Sequence, residues 1–135
     1  MEMVEGQELF GYTVDRYKLG ENETKIIIQQ ILKTIKYIHG KGIMHRDLKP
    51  ENIMINPKTK HIKLVDFGLS SYFEDFMNLH TRVGTPYYVA PEVLNGDYNK
   101  QVDIWSIGII AYILLTGCPP FQSENIDKIY DQIQA

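Results

Sequence analysis

The chain has 135 residues, enough for one domain, and its 44% apolar residues suffice for a core. The 14 basic and 17 acidic side chains are spread along the chain and sum to a net charge of −3, which leaves no basic stripe for nucleic acid or an anionic membrane. A single cysteine, Cys118, excludes an internal disulfide and a cysteine-rich zinc site, and is expected to be a small structural side chain in a cytosolic or nuclear protein.

Residues 1–8 lack the basic and long apolar regions of a signal peptide. Residues 1–10 begin extended and turn at Gly6, with Glu8 just beyond; taken alone they read as a solvated acidic turn. Asn22 is placed to cap the next helix, and Glu23 suits its positive end. Ile27, Ile28, Ile31, Leu32, Ile35 and Ile38 recur at three- and four-residue spacing, which predicts a helix whose stripe faces the core. Gly40 and Gly42 end it.

Residues 43–52 then set four charged side chains between apolar flanks. Pro50 forbids an ordinary helix interior and biases Lys49 toward extended geometry, so Arg46, Asp47, Lys49, Glu51 and Asn52 are expected to project from an irregular loop. Asp47 offers a carboxylate that accepts a proton, Lys49 a point charge for a phosphate oxygen, and Asn52 a carbonyl oxygen for a hard cation, a set suited to phosphoryl transfer. Residues 53–55 and 62–65 are β-like runs around the polar turn 56–60, predicting a hairpin whose ends bring Asn52 close to Asp66. Mg²⁺, which prefers octahedral oxygen ligands, would take its protein share from those two side chains.

Residues 69–83 have no sustained period and are expected to form a loop. The apolar run 104–115, opened by Asp103, is shorter than a membrane span and predicts a buried helix, stopped at residues 116–121. Ser123 is placed to cap a last helix with a stripe of Ile126, Ile129, Tyr130 and Ile133. No internal repeat, low-complexity tract or long linker divides the chain.

Three motifs carry a family resemblance. His45-Arg46-Asp47-Leu48-Lys49-Pro50-Glu51-Asn52 resembles the catalytic loop of serine/threonine protein kinases. Asp66-Phe67-Gly68, just after the hairpin, resembles their cation-binding motif. Gly84-Thr85-Pro86-Tyr87-Tyr88-Val89-Ala90-Pro91-Glu92 resembles their substrate-docking loop and its Ala-Pro-Glu anchor. Residues 87–94 and 113–121 are most similar to the calcium- and calmodulin-dependent group, including the calcium-dependent protein kinases.

The resemblance implies a mainly α fold with a small β-hairpin, the larger C-terminal lobe of a kinase, over residues 1–135. It also implies transfer of the ATP γ-phosphate to serine or threonine hydroxyls of protein substrates. Asp47 would take the proton, Lys49 stabilise the transferring group, Asn52 and Asp66 hold Mg²⁺, and Thr85 orient Asp47 and Lys49. Backbone groups near Glu2 and Val4 would bind adenine above Met54. Glu8 would reach the ribose or a basic substrate residue, and Glu8 with Glu51 would favour basic residues ahead of the target. Asp103 would accept hydrogen bonds from the catalytic-loop backbone.

Thr81 is a candidate phosphorylation switch paired with Arg46; the alternative is an unmodified surface threonine. The glycine-rich loop, strand lysine and helix glutamate of a complete kinase are not in the sequence, and no arginine follows Glu92 to pair with it. The chain therefore reads as a fragment of a longer kinase, lacking the N-terminal β-rich lobe and inactive by itself. The rival reading is a catalytically incompetent substrate-binding or regulatory module. No calcium-binding loop is present, so calcium or calmodulin would act only through regions outside the chain.

Overall fold

Four isoleucines, at positions 27, 31, 35 and 38, lie along one face of the helix Glu21–Gly40 (α2), and all four are buried. In the computed structural model, which describes residues 6–65, 71–72, 86–88, 90–94, 99–123 and 125–134, α2 is one of two long helices that build the core. The other, Gln101–Thr116 (α4), is apolar nearly all round and packs against α2. Such a helix is stable in water only when covered, and Ile107, Ile109, Ile110 and Leu114 are buried accordingly. The short helix Leu9–Asp15 (α1) adds Leu9 and Tyr12 to the same core.

The predicted hairpin forms as Ile53–Ile55 (β3) and Ile62–Leu64 (β4), antiparallel with Ile53 opposite Leu64. A third strand, Gln7–Glu8 (β1), joins the free side of β3 with Glu8 opposite Met54. Gly6 permits that approach, because a Cβ there would lie 2.2 Å from the Ile55 carbonyl oxygen. At the other end of the core, the segment after α1 crosses the end of α4. Leu19 N–H donates to Leu114 O at 2.7 Å. Gly117, at φ 84°, ends α4 where a Cβ would meet the Tyr17 carbonyl at 2.6 Å.

A second cluster joins Met44, of the two-residue strand Ile43–Met44 (β2), to Val93 and Leu94 of Pro91–Leu94 (α3) and to Ile129 and Ile133 of Ile126–Gln134 (α5). β2 pairs with Ser71–Tyr72 (β5), so the expected loop over residues 69–83 contains at least this strand. A two-residue strand has no detectable period, and its partner lies far away in sequence.

Other expectations need correction. α2 starts at Glu21 with Gly20 extended before it, so Asn22 lies inside the first turn and does not cap the helix; Thr24 N–H already bonds the Gly20 carbonyl. Glu21 and Glu23 both fall in that turn, where the helix dipole favours them. Leu32 is exposed, since the buried face narrows where no element covers that side of α2 among the described residues. The last helix is capped by Asn125, whose Oδ1 accepts from Asp127 N–H at 2.9 Å, while Ser123 Oγ accepts from Asn125 N–H. Ile126 is exposed, whereas Ile129 and Ile133 are buried as expected. Cys118 is exposed at the turn beside Thr116 rather than part of the core.

Candidate active site

The loop after β2 is held by one carboxylate. Asp103, fully buried in the first turn of α4, accepts from His45 N–H at 2.8 Å through Oδ2 and from Arg46 N–H at 2.9 Å through Oδ1. His39 Nε2, from the last turn of α2, lies 2.8 Å from Oδ2 as well. These bonds fix the backbone where Arg46 takes φ 70°, a left-handed conformation unfavourable for an L-residue with a long side chain. His45 is itself buried, with Nδ1 accepting from Asp47 N–H at 3.2 Å and Nε2 3.4 Å from the Val65 carbonyl. The role expected of Asp103 is thus met, and His39 is a partner that the sequence did not reveal.

Beyond this anchor Leu48 plugs into the core and Lys49 is extended, at φ −159° and ψ 160°, as its position before proline requires. The expected irregular loop then tightens: Pro50–Asn52 is a single 3-10 turn with the proline in its first position, where a missing N–H costs nothing. That turn points Asn52 back at Asp47. Asn52 Nδ2 donates to Asp47 O at 2.8 Å and to Asp47 Oδ2 at 3.3 Å, and Lys49 Nζ lies 3.8 Å from the same Oδ2. Asp47, Lys49 and Asn52 are therefore gathered at one place.

Because the Asn52 amide spends its N–H groups on Asp47, its carbonyl oxygen is the atom left for a cation, a donor set that fits a hard ion such as Mg²⁺. The hairpin closes at the same point, with Val65 N–H donating to Asn52 O at 2.8 Å. Asp66 itself lies outside the described residues, as do Glu2, Val4, Phe67, Gly68, Thr81, Gly84 and Thr85. Met54 lies half-buried in the central strand, and Glu8 is exposed opposite it.

Glu51 is half-buried on the other side of the turn. Burial pushes its carboxyl above the usual range; Lys49 and a backbone hydrogen bond work against this, and the charges of Glu8 and Asp47 add to it. Burial and the Glu51 charge likewise hold the Tyr88 phenol above its ordinary value. Both residues line a groove of about 700 Å³ with Phe10, Val14, Tyr17 and Ile113, a feature assembled from four separate segments.

A group whose folded-state pKa is raised binds its proton more tightly when folded. Ionised Glu51 therefore costs stability above that raised pKa, and the cost vanishes below the ordinary carboxyl value. Glu51→Gln is expected to raise the Tm at pH 7, with the two proteins converging as the pH falls through the carboxylate range. Thermal melts across that range check it; a Tm lowered by the substitution at pH 7 would contradict it.

The model of the protein kinase domain matches residues 1–135. The chain belongs to the protein kinase family. It is 47% identical over 133 residues to calcium-dependent protein kinase 4 of Plasmodium falciparum, covering 96% of this chain and 25% of that protein. Against myosin light chain kinase A of Dictyostelium discoideum it is 45% identical over 136 residues, 98% of this chain and 46% of the relative. Against CBL-interacting serine/threonine-protein kinase 1 of Arabidopsis thaliana it is 48% identical over 138 residues, 98% of this chain and 31% of the relative.

The chain thus spans between a quarter and a half of the length of these kinases. The similarities place it with the serine/threonine kinases of the calcium/calmodulin-dependent group, and the observed mainly α fold with a small antiparallel sheet is consistent with part of such a domain. Among the described residues no helix is long and apolar enough to cross a membrane.

Proposed function

We propose that the protein carrying this chain transfers the ATP γ-phosphoryl group to serine or threonine hydroxyls of protein substrates, and that Asp47, Lys49 and Asn52 do this work with Asp66. The reading is carried by the convergence of Asn52 and Lys49 on the Asp47 carboxylate. The substrate hydroxyl oxygen bonds to the γ-phosphorus, the bond from that phosphorus to the bridging oxygen breaks, ADP leaves, and the hydroxyl proton passes to Asp47.

Asn52 donates to the Asp47 backbone carbonyl at 2.8 Å and to its Oδ2 at 3.3 Å, so the first bond fixes the loop backbone and the second steers the carboxylate toward the hydroxyl. Lys49, with its ammonium beside Asp47, offsets charge on the transferring group. Bound Mg²⁺ would supply charge neutralisation on the phosphates, and Asn52 Oδ1 with Asp66 would hold it. Backbone groups near Glu2 and Val4 would take the adenine over Met54, Thr85 would orient Asp47 and Lys49, and Thr81 with Arg46 would form a phosphorylation switch. A cytoplasmic or nuclear location fits such substrates.

Glu8 and Glu51 add a preference for basic residues ahead of the target hydroxyl. Burial, with a smaller contribution from the charges of Glu8 and Asp47, raises the Glu51 carboxyl, and a cation bound beside it would offset that cost of ionisation. The test is to incubate the full-length protein with Mg-ATP and serine peptides with and without preceding arginines. Phosphoserine is expected, with the basic peptide preferred. Replacing Glu8 and Glu51 together by alanine is expected to reduce that preference about tenfold, the effect of losing ~1.4 kcal/mol of charge pairing. An unchanged preference would remove these two residues from substrate selection.

A further inference from the structure

β4 is an edge strand of three residues, too short for its own side chains to define a register firmly. The outward N–H at its start and the carbonyl two residues before it are nevertheless matched. Gln30, on α2, donates from Nε2 to Lys60 O at 2.7 Å and accepts at Oε1 from Ile62 N–H at 3.1 Å. A side-chain amide thus occupies the place of a neighbouring strand's peptide group, and it fits only where a carbonyl and an N–H lie two residues apart.

The same corner is fastened a second time. Lys60, at φ 64°, sends its ammonium to Glu23 Oε1 at 3.1 Å and to the Tyr12 hydroxyl, which in turn donates to Glu23. Glu23 and Gln30 are seven residues apart, about two turns and ~10 Å along α2. From Ile62, β4 runs opposite β3 to Val65, whose N–H meets the carbonyl of Asn52. A slip of β4 by one residue, ~3.3 Å along the strand, would reverse its faces and break the contact of Val65 with Asn52.

We propose that Gln30 is a positioning residue whose amide locks the register of β4 and thereby the contact of Val65 with Asn52, the residue on which binding of the nucleotide-associated divalent cation depends. This rests on the kinase reading above, and part of its test needs no phosphate transfer. In the full-length protein the amides of Ile62 and Val65 are expected to be protected from hydrogen exchange; rapid exchange of Ile62 in the wild type would refute the clamp whatever the variants do.

Gln30→Met keeps the length and loses both polar contacts. It is expected to speed exchange at Ile62 and Val65, and to weaken Mn²⁺ binding in the presence of a non-hydrolysable ATP analogue about five- to tenfold, as read by the resonance of free Mn²⁺. Gln30→Glu keeps the acceptor for Ile62 N–H and is expected to fall between wild type and Gln30→Met. Faster exchange confined to Ile62, with Val65 and Mn²⁺ affinity unchanged, would overturn the proposal, as would equal effects of the two substitutions. A wild-type protein that shows the protection and the Mn²⁺ effects yet transfers no phosphate would fail the kinase reading and leave the clamp standing.

Discussion

Asp103→Ala is expected to lower the unfolding free energy by about 3–5 kcal/mol, the range for removing one member of a buried, hydrogen-bonded charged group. The carboxylate is fully buried and serves His45 N–H, Arg46 N–H and the His39 ring together. Without it, two backbone donors lose their acceptor at the point where Arg46 is held in a left-handed conformation that costs about 1–2 kcal/mol. Since a domain of this size has about 5–15 kcal/mol in total, the variant is expected to be close to unfolding at 37 °C. Asp103→Asn retains one acceptor but turns an amide toward a donor, so it falls between. Urea denaturation measures both; a loss below about 1 kcal/mol for the alanine variant would mean that the loop holds its shape without this carboxylate.

Asn52→Ala is expected to reduce phosphate transfer by about 10²-fold or more while costing only about 1–2 kcal/mol of stability. The asymmetry follows from what the amide does. Its two donors hold Asp47, and its carbonyl is the atom left for a cation, so under the proposed mechanism one truncation would free the base and remove a ligand. Asn52→Asp supplies oxygen but brings a second carboxylate against Asp47, and is expected to remain impaired even in excess Mg²⁺. Transfer rates over a Mg²⁺ titration, beside urea denaturation, separate the two contributions. A variant with the activity of the wild type would remove Asn52 from the site.

Much of the fold was legible because its signals are local. The isoleucine period of α2, the stop at Gly117 and the β-like runs around residues 56–60 each state their own element. Helix starts were harder: several residues near each start can cap, and choosing Gly20 over Asn22, or Asn125 over Ser123, needs the backbone path. β1 and β5 became strands through partners about 47 and 28 residues away, which no local pattern records.

The site divides in the same way. Asp47, Lys49 and Asn52 lie within six residues, so a motif could find them together, and the structure brings them within hydrogen-bonding or ion-pair distance. His39 and Gln30 escaped notice because each looks like an ordinary polar residue on a helix. Their meaning comes from Asp103 and from the Lys60 corner, which only the tertiary fold brings near. The groove beside Glu51 escaped for the same reason.

The most direct test of the account is the rate of phosphate transfer by the full-length protein, compared with its Asp47→Asn variant, at saturating Mg-ATP and serine peptide. The amide keeps the size of the carboxylate but cannot accept the hydroxyl proton, so the rate is expected to fall by about 10²–10⁴-fold with little change in Tm. Equal rates for the two proteins would contradict the assignment of Asp47 as the proton acceptor and, with it, the reading of this loop as the catalytic centre.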